Sequence, residues 1–216
     1  MNFESARFNM TEQQVRPWQV LDLEILSQMN ALPRHLFVPE AYLSLAYADT
    51  EIPLNDTAAM LSPKVVGRIL QSIKLTPHDE VLQIGTGTGY LTALMAKLSA
   101  KVHGLEINKE LSHHTATHLH DLGIQNVVVE RADAFHRAFT QRTFDVIVFT
   151  GSMAFIPKNF LDMLSEGGRL FAFTGQAPTM HAMLVQKVGP NFITTDLFET
   201  RVARLLNAPE AETFVF

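Results

Sequence analysis

Val81-Leu82-Gln83-Ile84-Gly85-Thr86-Gly87-Thr88-Gly89-Tyr90 is the stretch on which the reading of this chain turns. An apolar run of strand length ends in three alternating glycines, and residues 90–98 then have the composition of a helix. Strand, tight turn and helix together open a βαβ unit. Glycine in such a turn lets the backbone bend sharply and lets a ligand come close to the main chain. The alternation continues downstream. Residues 102–107, 126–130, 144–150 and 169–174 read as strands, and residues 109–122 as a helix. Residues 160–165 read as a further helix, stopped by Gly167 and Gly168. Strands alternating with helices argue for a mainly parallel sheet. The end of the chain differs. Residues 182–188 and 192–202 flank Gly189-Pro190-Asn191, which predicts an antiparallel hairpin.

Upstream of the glycine turn the pattern is of another kind. Residues 4–30 place apolar side chains at helical spacing, but Pro17 interrupts them, so two helices are expected. Pro33, Pro39 and Pro53 make residues 33–54 irregular. Pro63 suits the first turn of a helix over 63–73, with Ser62 as its N-cap. The expected division is a helical and irregular cap region over 1–62 and one compact domain over 63–216.

Composition narrows the function. The 216 residues are 47% apolar and 18% charged, which excludes a largely disordered chain. Lys plus Arg number 17 and Asp plus Glu 22, a net charge of 17 − 22 = −5. That balance argues against a dedicated nucleic-acid binder, which needs a basic face. The absence of cysteine excludes disulfides, thiol catalysis and cysteine-based zinc sites. No signal peptide is expected from the first ten residues, and no apolar run approaches the ~20 residues needed to span a bilayer. The expectation is a cytoplasmic protein that binds neither membrane nor nucleic acid.

The ligand of the glycine turn is narrowed by spacing. Glu106 ends the next strand, 106 − 89 = 17 residues beyond Gly89, where a carboxylate can accept from both hydroxyls of a ribose. A dinucleotide fingerprint needs Gly-x-Gly-x-x-Gly, whereas here Gly85, Gly87 and Gly89 alternate and Tyr90 follows. That spacing is typical of S-adenosyl-L-methionine (SAM) methyltransferases. A nicotinamide cofactor and a ligand-free turn remain alternatives. No Gly-Lys-Ser/Thr follows, which excludes a P-loop. Asp133 ends the third strand, where an acid commonly accepts from the adenine amino group. The candidate cofactor residues are therefore Gly85, Thr86, Gly87, Gly89, Tyr90, Glu106, Ile107, Asp133, Ala134 and Thr150. His113, His114, His118 and His120 read as a solvated helix face rather than a metal site.

Further elements are carried by Pro33-Arg34-His35-Leu36-Phe37-Val38-Pro39, by Ala46-Tyr47-Ala48-Asp49 with Ile52-Pro53-Leu54, and by Ile156-Pro157 and Gly167-Gly168. With the glycine turn, these resemble the protein-L-isoaspartate O-methyltransferase family over residues 31–174. The resemblance implies an α/β Rossmann-like three-layer sandwich with a seven-stranded, mostly parallel sheet and an antiparallel C-terminal hairpin. It implies SAM as cofactor and a peptide or protein substrate, methylated on the α-carboxyl of isoaspartate as the first step of repair. A methyltransferase for another acceptor, including a small molecule, and a non-catalytic SAM-binding module are the alternatives.

The departures from the family pattern are local. Where the family has Gly-x-Gly-Gln-Thr-Ile-Ser, this chain has Asn55-Asp56-Thr57-Ala58-Ala59-Met60-Leu61. The nearby hydroxyls of Thr57 and Ser62 are the candidates for a role at the acceptor. Gln83 stands where the family has Glu, and Ala132 and Ala134 flank Asp133 where it has glycines. Leu206-Asn207-Ala208-Pro209 and Phe214-Val215-Phe216 lie outside the family pattern.

Overall fold

A computed structural model describes residues 2–137 and 142–210; Phe214-Val215-Phe216 lie outside the described residues. Helix α1, Phe3–Asn9, is capped by the Asn2 side chain and runs into a wider helical turn, Met10–Val15. The chain tightens at Arg16–Trp18 around Pro17 and reverses at Gln19, whose φ is +63°. Helix α2, Leu23–Ala31, then starts under the Asp22 cap. The break thus falls at Pro17, where the missing N–H and fixed φ disfavour a continuous helix. Residues 33–51 are irregular, with two short 3₁₀ turns, Arg34–Phe37 and Glu40–Leu45. Strands β1, Ile52–Pro53, and β2, Ala59–Met60, form a small separate hairpin.

Helix α3, Pro63–Ile73, begins with proline in its first turn and buries Val65, Val66, Ile69, Leu70 and Ile73 on one face. Ser62 occupies the N-cap position, but its side chain makes no capping bond. A Cβ on Gly67 would lie 2.8 Å from Val15 and 3.0 Å from Val20, so a glycine lets the N-terminal segment pack directly on this helix.

The main sheet follows: β3, Glu80–Ile84; α4, Tyr90–Leu98; β4, Lys101–Glu106; α5, Lys109–Asp121; β5, Val127–Arg131; β6, Phe144–Met153; α6, Lys158–Asp162; β7, Leu164–Gln176; β8, Thr179–Val188; and β9, Asn191–Thr200. The seven strands lie in the order β5-β4-β3-β6-β7-β8-β9. The first five of these neighbours are parallel, and β8 and β9 are added antiparallel.

Successive residues of a strand face opposite sides, and two hydrophobic clusters result. Val81, Val102, Val146, Val148 and Phe171 face one side, with α3, α4 and the N-terminal helices. Leu82, Ile84, Leu105, Ile147 and Phe149 face the other, with Phe160 of α6 and Ala208. This is a three-layer α/β sandwich.

One expected boundary moves. The helix expected over 160–165 ends at Asp162, and Gly167-Gly168 lie within β7 rather than terminating a helix. Leu164 pairs with Phe144, both are buried, and Phe144 donates its N–H to Met163. Apolar burial at the start of these two interior strands outweighs the local stop signal, and the glycines absorb the register shift between Phe144 and Val146.

The order places β3 between β4 and β6. After β3 the chain moves outward through β4 and β5, then returns to the other flank with β6. Such a switch point opens a crevice at the carboxyl ends of the strands.

Candidate active site

The crevice is built from the glycine turn upward. Gly85 has φ +83°, and a Cβ there would lie 2.4 Å from the Thr150 hydroxyl, so a larger residue would be both strained and in collision. Thr150 Oγ1 shares its proton between Ile84 O at 3.0 Å and Gly85 O at 2.7 Å. Thr115 Oγ1 donates to Gly87 O at 2.6 Å. Gln83, fully buried, donates from Nε2 to Gly85 O at 3.1 Å and accepts from Thr92 Oγ1 at 2.7 Å. An ionised carboxylate could accept from Thr92 but could not donate to Gly85. The glutamine is thus matched to its own surroundings.

Glu106 is 6% exposed, and each of its oxygens accepts a backbone N–H, from Gly87 at 2.9 Å and from Asn108 at 3.1 Å. It ties the turn after β3 to the turn after β4. A carboxylate offers about four lone-pair positions, so acceptor capacity remains toward the crevice. Asp133 sits beyond β5. Its Oδ1 accepts from Phe135 N at 3.0 Å, and its Oδ2 accepts from His136 Nδ1 and Asn207 Nδ2, both at 2.7 Å. Partial burial pushes this carboxyl up, but the bonds from Asn207, His136 and Phe135 outweigh it and hold it below its ordinary range.

Gly85, Gly87, Glu106, Ile107, Asp133, Ala134 and Thr150 converge on one cleft of about 800 Å³, its open mouth included. Thr86 and Tyr90 line a smaller inner recess with Ala59, Met60 and Gln83. Gly89 lies behind both, as the N-cap of α4. Three hydroxyls, Thr86 Oγ1, Thr88 Oγ1 and Tyr90 OH, are buried without a partner among the described residues. Burial pushes the Tyr90 hydroxyl well above its ordinary pKa, so it is a neutral donor. Acids at one end and unpaired hydroxyls in a recess at the other suit a ligand with a nucleoside head and a polar, zwitterionic tail.

The two acceptor-site candidates part company. Thr57 lines the cleft, but its hydroxyl proton goes to Asn55 Oδ1 at 3.0 Å, which also accepts from Thr57 N and Ala58 N. Ser62 is buried and is not brought to the cleft wall; its backbone carbonyl starts α3 by accepting from Val66 N. Ala58 and Ala59 present methyl groups at the cleft. Just behind them, the buried Arg34 guanidinium donates to Ala46 O and Leu61 O and so holds this segment in place. Burial lowers its pKa to about 10, against the opposing influence of Tyr90, Tyr47 and Asp49, so it stays charged at neutral pH.

Ala203, Arg204, Leu205 and Leu206 also line the cleft, and sequence reasoning missed them. After β9 the chain turns back across the end of β6, where Ser152 donates to Ala203 O at 2.9 Å and accepts from Leu205 N at 3.0 Å. Apart from a mismatch with the family pattern there, no local signal marks this return. Met153 is a core residue, and Phe155 is exposed away from the cleft lining. Among the described residues no cluster of three metal-ligating side chains forms, the α5 histidines included.

A doubly wound sheet with a glycine turn at its switch point, Glu106 at the end of β4 and Asp133 just beyond β5 fits a SAM-dependent methyltransferase, and the family comparison shows that class. The model of the family described as protein-L-isoaspartate(D-aspartate) O-methyltransferase matches residues 9–207. This chain belongs to that family. It is 36% identical over 190 residues to protein-L-isoaspartate O-methyltransferase 1 of Syntrophobacter fumaroxidans, covering 88% of each chain. It is 32% identical over 206 residues to the protein-L-isoaspartate O-methyltransferase of Herpetosiphon aurantiacus, covering 95% of this chain and 92% of the relative. In fold it is similar to a Plasmodium falciparum protein of the same description, crystallised with S-adenosyl-L-homocysteine. The TM-score is 0.80 at 22% identity, over 92% of this chain and 97% of the other.

Proposed function

We propose that this chain transfers the methyl group of SAM to the α-carboxylate of L-isoaspartyl residues in proteins or peptides. The observation that carries the reading is the family match over residues 9–207, most of the chain, and the cleft lined by Gly85, Glu106 and Asp133 inside it supports the reading. Glu106 is assigned to the ribose hydroxyls and Asp133 to the adenine amino group. Gly85 and Gly87 admit close approach of the ligand, and Ile107, Ala134 and Thr150 complete the walls. The buried Thr86 and Thr88 hydroxyls and Tyr90 serve the recess, where the amino-acid end would find donors and acceptors.

SAM supplies a sulfonium-activated methyl group, which an oxygen nucleophile takes by in-line displacement. An acceptor carboxylate, with a pKa near ~3.9, is ionised at neutral pH and needs no general base. The chain's task is alignment and exclusion of water. The rigid Asn55 turn and the methyls of Ala58 and Ala59 form the wall available for that task.

A second reading has a specific observation behind it. Ala58 and Ala59 stand where the family motif carries Gln and Thr, and with Leu54, Leu205 and Leu206 they make an apolar lining, which suits a less polar acceptor. The two readings separate by labelled methyl transfer to a pair of peptides that differ only in isoaspartate or aspartate at one position. Labelling of the isoaspartyl peptide alone, with base-labile loss of the label as methanol, is the expected result. Bound SAM with no transfer to either peptide would overturn the isoaspartyl assignment.

A further inference from the structure

The C-terminal return does more than line the cleft. Asn207, in the left-handed region at φ +60°, donates from Nδ2 to Asp133 Oδ2 at 2.7 Å, across 74 positions of sequence. Asparagine is among the few residues that tolerate that backbone conformation. The return is braced on both sides of it. Ser152 bonds the backbone of Ala203 and Leu205, Ala208 is buried in the core, and Arg204 donates to Ala208 O at 2.8 Å and Pro209 O at 3.1 Å.

The acceptor capacity of Asp133 can be counted. Each carboxylate oxygen accepts about two donors. His136 and Asn207 fill Oδ2, and Phe135 N takes one position on Oδ1. Among the described residues one position remains, on Oδ1. Asn207 thus decides which oxygen of the carboxylate is left for a ligand, and it does so from the same segment that forms the facing wall.

We infer that Asn207 is a positioning residue for nucleobase recognition. It saturates Oδ2, presents Oδ1 of Asp133 to a purine 6-amino group, and couples the local stability of the 203–208 segment to occupancy by an amino-purine ligand. The inference rests on the assignment of Asp133 to the adenine end in the proposed function. It adds a residue and a coupling which that assignment does not require.

The test compares S-adenosyl-L-homocysteine with S-inosyl-L-homocysteine, which carries a 6-oxo group in place of the amino group. Affinities are measured by titration calorimetry for the unaltered protein and for Asn207→Ala. The unaltered protein should prefer the adenosyl ligand, and Asn207→Ala should lose about threefold or more of that preference, because a carboxylate no longer held at Oδ2 meets the 6-amino group in a poorer geometry while its own acceptor capacity remains. A loosened fold would weaken both ligands alike and leave the ratio unchanged. Retention of the full preference by Asn207→Ala overturns the role of Asn207 and leaves Asp133 standing. Absence of any preference in the unaltered protein overturns the Asp133 assignment and this inference with it.

Hydrogen exchange on the unaltered protein supplies a readout that needs no variant. The adenosyl ligand should slow exchange over residues 203–208 more than the inosyl ligand does. Equal protection by both would overturn the coupling.

Discussion

Glu106 shows how one side chain serves both structure and site. Its two oxygens hold Gly87 N and Asn108 N, and it is almost wholly buried. Glu106→Ala leaves two partly buried N–H groups at the cleft without their acceptors, each costing up to about 1 kcal/mol. A lower melting temperature and at least tenfold weaker binding of S-adenosyl-L-homocysteine are expected, read by calorimetry. Unchanged affinity would remove Glu106 from the site. Asn55 and Thr57 make a sharper pair. The Asn55 carboxamide accepts three bonds, whereas the Thr57 hydroxyl has spent its proton on Asn55. In steady-state kinetics on the isoaspartyl peptide, Asn55→Ala should lower kcat/KM by tenfold or more, and Thr57→Val by less than threefold. The reverse order would give the hydroxyl of Thr57 a direct role. Residue type and spacing were enough to name Glu106 and Asp133 as candidates, and the fold brings both to the cleft. They could not show where the proton of Thr57 goes, because that depends on a turn closed by Asn55.

Elements are joined at a few pins, and Arg169 is one of them. From β7 it donates to the last carbonyls of α3, at Ile73 and Lys74, and it grips Asp79 at 2.6 Å and 3.2 Å just before β3. Asp79 also accepts from Thr76 N. Burial pushes the Asp79 carboxyl up, but Arg169 and Thr76 outweigh it, so its pKa lies below the ordinary value. A carboxyl depressed in the folded state contributes stability at pH values above its unfolded pKa, near ~3.9, and that contribution is lost as pH falls through the folded pKa. Arg169→Met strands a mostly buried carboxylate and should destabilise by about 3–5 kcal/mol at pH 7. The difference from the unaltered protein should shrink below about pH 4, in denaturant melts at several pH values. A deficit independent of pH would mean that the packing of Arg169 matters and its charge does not.

Element type was legible from the chain because period and punctuation are local: Pro17 breaks the N-terminal helices, and Gly189-Pro190 turns the last hairpin. The start of β7 was not legible, since pairing between Phe144 and Leu164 overrides the glycines that follow.

Across the whole molecule, the cleft closes only when the end of the chain returns to it. A chain ended after Arg201 loses the wall formed by Ala203–Leu206 and the buried Ala208. It should melt lower than the full chain and should lose the ligand-induced rise in melting temperature. For the full chain that stabilisation is about 2.7 kcal/mol at a ligand concentration one hundred times Kd. An undiminished ligand shift in the shortened chain would show that β3, β4 and β5 alone hold the cofactor. The alternation of strand and helix, the glycine turn and the acids at the ends of two strands could all be read from the order of residues, because each rests on backbone preferences and on contacts near in sequence. The order of the strands, the exclusion of Ser62 from the cleft and the meeting of Asn207 with Asp133 could not. Those follow from which faces the packed layers bury and from where the last segment docks, and both are settled by burial and hydrogen bonding between parts of the chain far apart in sequence.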